Sequence, residues 1–141
     1  VYIGGTMLCR QLLPRYGVRH TVAMAGGMAV VCALLLLTLA AAGVDSGLPY
    51  ALACMLFPLA HGIQQPCGQS GAVGAFPKAA GTASALHGFI MMVFAFATGQ
   101  VLGRSFNGTV YPLVFGLSLW CFAAALASWT LVRRHGDPGA Q

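Results

Sequence analysis

Two short series of polar side chains interrupt stretches that are otherwise apolar. The first is His61, Gln64, Gln65 and Gln69; the second is Ser84, His87, Thr98 and Gln100. An imidazole exchanges a proton near neutral pH, and a carboxamide both donates and accepts hydrogen bonds. Together such groups can hold the polar end of a ligand or pass protons. Carboxylate chemistry is not on offer there, because Asp45 and Asp137 both lie outside the apolar runs. The five cysteines, Cys9, Cys32, Cys54, Cys67 and Cys121, are scattered with no C-x-x-C spacing. Zinc and thiol-redox motifs are therefore poor readings, and small apolar packing residues are the better one.

The spacing of the polar residues is helical. At about 100° per residue, Pro58, His61, Gln64, Gln65, Gly68 and Gln69 fall on one face roughly 140° wide. Ser84, His87, Met91 and Thr98 share a face of the following helix, while Gln100 falls off it near the helix end. Polar groups at membrane depth are costly unless they face protein or a water-filled cavity. The two stripes are expected to line one cavity. His61 has two readings, a ring hydrogen-bonded to a backbone carbonyl and a member of a transport pathway. Met91, with Phe94 and Phe96 nearby, reads as packing, although such a surface would also suit an adaptable apolar site.

Those residues need a scaffold, and composition says which solvent it meets. Of 141 residues, 58% are hydrophobic and 6% charged, with a mean hydropathy of +0.80. A soluble domain carries about 25% charged residues, so this chain is expected in lipid, as an all-α membrane protein. Residues 1–8 read as the tail of a transmembrane helix that starts earlier, which makes the chain a C-terminal fragment of a larger protein. A basic loop at 9–20 follows, then transmembrane helices at 21–43, 48–72, 82–103 and 111–132. Their connections are a turn at 44–47, a loop at 73–81, a turn at 104–110 with an Asn-Gly signal, and a tail at 133–141. Pro58 and Pro66 each remove a backbone donor and are expected to kink the 48–72 helix. Gly88, Ala95, Gly99 and Gly103 form a small-residue stripe, with a G-x-x-x-G step that permits close helix packing.

Basic residues orient the spans. Arg10, Arg15, Arg19, Lys78, Arg133 and Arg134 fall on one side and only Arg104 on the other. The first side is expected to be cytoplasmic, C-terminus included. The net charge of +5 is explained by these loops, not by nucleic acid.

The segment QQPCGQSGAVGAFPKAAGTASALHGFIMM resembles the Bcr/CflA drug-efflux group of the major facilitator superfamily. Phe76, Pro77, Ala80, Gly81, Ala83, Ser84, Ala85, Leu86, Gly88 and Phe89 match its F-P-x-x-A-G-x-A-S-A-L-x-G-F pattern. RQLLPRYGVRH is similar to the superfamily's second basic loop, with Arg15, Gly17 and Arg19 in place. The resemblance implies the end of helix eight through helix twelve of that fold, within its C-terminal six-helix half. Helices ten and eleven would border the central cavity and nine and twelve would lie outside. Met91 stands where relatives often carry Gln.

The resemblance implies a proton-coupled drug antiporter of a bacterial inner membrane, which exports small amphipathic compounds by alternating access. No cofactor or metal is called for. Its partners would be lipid, drug-like substrates, protons and the absent N-terminal half. The coupling residues would then lie in that half. A self-contained four-helix membrane protein, acting as a small transporter or an assembly scaffold, is the alternative. A haem protein ligated by His61 and His87 is disfavoured, since their depths differ by roughly 8–10 Å at about 1.5 Å per residue.

Overall fold

In lipid, apolar runs of this length satisfy their backbone within helices. A computed structural model describes residues 1–74 and 76–132, and it holds no strand among them. Helix α1 is Tyr2–Ala41, α2 is Gly47–Cys54 and α3 is Leu56–Gly74. A 3-10 turn at Pro77–Ala79 leads into α4, Ala80–Arg104. Helix α5, Tyr111–Ala127, ends in a π-helical turn at Ser128–Val132. The tail at 133–141, with Arg133 and Arg134, lies outside the described residues.

The stretch 9–20 is not a loop. It is helical apart from Gly17, where α1 breaks with φ 71 and ψ 174. Arg10, Gln11, Leu12, Leu13 and Arg15 are good helix formers, and Pro14 removes only one backbone bond. The break falls on the residue that reaches a positive φ without a Cβ penalty. Residues 2–16 and 18–41 are therefore two arms of one element.

Both arms pack against α3. Gly5 meets Gly62 and Cys9 meets Cys67, so the first arm runs parallel to α3. The second arm runs the opposite way, with Cys9, Val22, Ala25, Ile63 and Cys67 in one buried cluster. Further along it, Cys32 Sγ donates to the Ala53 carbonyl at 3.4 Å. Helix α5 covers another side of this arm: Trp129 Nε1 donates to the Ala23 carbonyl at 3.2 Å. The core between α1, α2, α3 and α5 is built from Ala29, Cys32, Ala33, Leu36, Ala53, Ala60, Val114 and Cys121. Small side chains at these positions let the helix axes approach closely.

Among the described residues, three segments are long and apolar enough to cross a membrane, Tyr2–Ala41, Pro77–Arg104 and Tyr111–Thr130. The chain is read as a membrane protein on that basis. The stretch 48–72, expected as one span, is two helices broken at Met55. Pro58 explains the break: it cannot donate to the Cys54 carbonyl and its ring crowds that carbonyl. In the first turn of a new helix, starting at Leu56, it is tolerated. Pro66 sits inside α3, which continues through it.

Helix α4 stands apart. None of its residues is buried. It meets α5 through Phe94 and Trp120, edge to face with ring centroids 6.4 Å apart. The small-residue stripe makes no close packing here: a Cβ at Gly81, Gly88, Gly99 or Gly103 would meet open space. A close backbone approach occurs instead at Gly5 and Gly62, where a Cβ on Gly5 would collide with the Leu59 carbonyl. The turn after α4 is held by Asn107 Oδ1, which accepts from the Thr109 N–H at 3.2 Å and its hydroxyl at 2.6 Å.

Candidate functional site

The polar face of α3 is shared among three neighbours, and the order follows the helix wheel. Gln64 lies at one edge of the face and Gln69 at the other, with His61, Gln65 and Gly68 between them. Gln64 Nε2 donates to Ser128 Oγ at 3.3 Å, and Ser128 Oγ donates to the Ala124 carbonyl at 2.7 Å. This edge faces α5. Gln69 Nε2 donates to Ser84 Oγ at 3.2 Å, which ties the other edge to α4.

The centre of the face meets the first arm of α1. Tyr2 donates its hydroxyl to Gln65 Oε1 at 2.7 Å. His61 lies between two aromatic rings. Phe57, one helical turn before it, stacks at 5.9 Å between centroids and 5° between planes; Tyr2 sits at 6.0 Å and 48°. His61 and Gln65 are half-buried. Tyr2, Phe57, His61 and Gln65 thus form one aromatic and polar cluster. It sets an imidazole and a carboxamide beside two aromatic rings. Such a combination suits an amphipathic ligand.

The α4 residues do not join that cluster. Ser84 reaches α3 only at Gln69. His87 lines a separate cavity of about 380 Å³ with Phe76, Ala79, Thr82, Ala83, Leu86 and Ile90. Thr98 donates to its own helix, to the Phe94 carbonyl at 2.7 Å, and borders a cavity of about 580 Å³ between α4 and α5. Met91 is half-buried. One cavity lined by both stripes is therefore not formed among the described residues. Helix α4 reaches the α3 polar face through the Gln69–Ser84 bond, and the cavities that His87 and Thr98 border include none of the α3 polar residues. In the basic segment, Arg15 and Arg19 are exposed on either side of the Gly17 break. Pro77 opens the 3-10 turn before α4.

Three contributors were missed by the sequence reading. Tyr2 falls in the apolar stretch 1–8, yet a tyrosine hydroxyl in an apolar run calls for a hydrogen-bond partner. Phe57 and Ser128 carried no comparable signal. Among the described residues, no group of three or more His, Cys, Asp or Glu side chains is placed to hold a metal ion. No protein-family model, curated protein or solved structure matches the chain.

Proposed function

We propose that the chain is the C-terminal part of a proton-coupled efflux transporter, a drug:H+ antiporter that exports small amphipathic compounds by alternating access. The observation that carries this reading is the Tyr2–Phe57–His61–Gln65 cluster between the first arm of α1 and α3. It places a protonatable ring and a carboxamide among aromatic faces in a chain that is otherwise apolar. Polar groups held within a membrane-embedded fold usually serve a pathway or a binding site. The broken α2–α3 pair adds support, since interrupted helices recur around transporter substrate sites. The motif at 76–89 supplies the resemblance to the Bcr/CflA group of the major facilitator superfamily. In this reading α1 after Gly17, α2 with α3, α4 and α5 are helices nine to twelve, working against a second six-helix half. In this reading the basic segment at 9–20, Lys78 and the C-terminus lie on the cytoplasmic side of a bacterial inner membrane, the side that an excess of Lys and Arg favours.

A second reading, an assembly scaffold, draws on α4, whose glycine face is open and none of whose residues is buried. Accumulation of a fluorescent amphipathic cation in cells expressing the full-length protein, N-terminal half included, separates the two. An exporter lowers accumulation, and the His61→Ala/Gln65→Ala variant, at matched membrane abundance, restores it to the level of cells without the gene. Accumulation unchanged by the gene, or by the double substitution, contradicts the transport reading.

A further inference from the structure

Cys9 and Cys67 lie 58 residues apart in sequence, yet their Sγ atoms are 3.7 Å apart. Both thiols are buried, at 4% and 5% exposure, in the cluster with Val22, Ala25 and Ile63. Their meeting follows from the backbone. About one turn earlier on each helix, Gly5 and Gly62 face each other with no side chain between them. A Cβ on Gly62 would lie 2.5 Å from the Tyr2 carbonyl oxygen and 3.2 Å from the Gly5 Cα. Axes this close bring facing residues of the next turn into the Cα separation that a disulfide needs. A cavity of about 230 Å³ reaches the pair from one side, with Val18, Val22, Gln64, Cys67, Gly68 and Ser128 in its wall.

We propose that Cys9 and Cys67 are a thiol–disulfide modification site, which an external disulfide of small molecular size converts to a bond between α1 and α3. The thiolate of Cys67, the member of the pair that lines the cavity, attacks one sulfur of the reagent and expels one reagent thiol. The result is a mixed disulfide at Cys67. The Cys9 thiolate then attacks the Cys67 sulfur and expels the second reagent thiol. One reagent disulfide is reduced to two thiols, the two cysteines lose two electrons, and their two protons end on the released thiols or in water. The product pins residues 2–16 to α3. It thereby fixes Tyr2, about two turns before Cys9 on α1, against His61 and Gln65.

The test uses the unaltered chain in detergent or nanodiscs. It is treated with 4,4′-dithiodipyridine, denatured, and alkylated with N-ethylmaleimide. Peptide-resolved mass is expected to show that Cys9 and Cys67 carry neither a maleimide nor a pyridine thiol, whereas the half-buried Cys54 retains a pyridine thiol. Peptide mapping is expected to find Cys9 linked to Cys67, and dithiothreitol is expected to restore full alkylation. Cys9→Ser is expected to stop at the mixed disulfide on Cys67, retaining one pyridine thiol there. Full alkylation of Cys9 and Cys67 after treatment overturns the proposal, as does a link joining other cysteines.

Discussion

The Tyr2 hydroxyl donates to Gln65 Oε1 at 2.7 Å across 63 residues of sequence. This bond joins the first arm of α1 to the centre of the polar face of α3. A neutral hydrogen bond of this kind contributes about 0.5–1.5 kcal/mol net. Tyr2→Phe and Gln65→Leu are each expected to lower stability by about 1 kcal/mol in detergent. The double variant should lose less than their sum, with a coupling of about 0.5–1.5 kcal/mol. Strictly additive losses in a denaturation cycle would show that the two side chains do not interact.

The approach of Gly5 and Gly62 sets the frame around that bond. Gly62→Ala places a methyl group against the backbone of residues 2–6, which has no flexible end to yield. The first arm must move, at a cost of about 1–3 kcal/mol. Gly68→Ala, on the same helix but facing open space, should instead be neutral or stabilise by up to about 1 kcal/mol, as in any helix interior. Thermal midpoints of the two variants should therefore move apart. Equal shifts would mean that the arm does not rest on Gly62.

Pro58 is the cause assigned to the break between α2 and α3. Pro58→Ala restores an N–H that can donate to the Cys54 carbonyl, and the two helices should join through Met55. The amide at position 58 is then expected to exchange with solvent at least about tenfold more slowly than an unprotected one, a gain of 1.4 kcal/mol or more in local opening free energy. An amide at that position that exchanges as freely as one in a turn would place the cause elsewhere.

The helical character of the chain and the single polar face of α3 were legible in the sequence, because both follow from periodicity alone. In the 9–20 segment Pro14 and the arginines carry the pattern of a loop, whereas only Gly17 leaves the helical conformation. The fate of the polar face was not legible. Gln64, Gln65 and Gln69 sit on adjoining directions of one wheel, but their partners Ser128, Tyr2 and Ser84 are 64, 63 and 15 residues away. Periodicity says which residues point the same way, and tertiary packing says what they meet. The Asn-Gly signal, by contrast, was purely local, and Gly108 sits in its turn at φ 78.

The most direct test of the central claim is water access along α3 in a chain whose native cysteines are replaced by alanine. A thiosulfonate reagent reacts with the thiolate, which forms only where water reaches. A transport pathway at the α3 face predicts that Gln65→Cys reacts with a charged thiosulfonate and that an amphipathic substrate slows the reaction. Ile63→Cys, fully buried against α1 and outside the cavity that Cys67 borders, should stay unreactive under the same conditions. A Gln65→Cys thiol as inert as the one at position 63, or a rate indifferent to every amphipathic compound tried, would contradict the pathway.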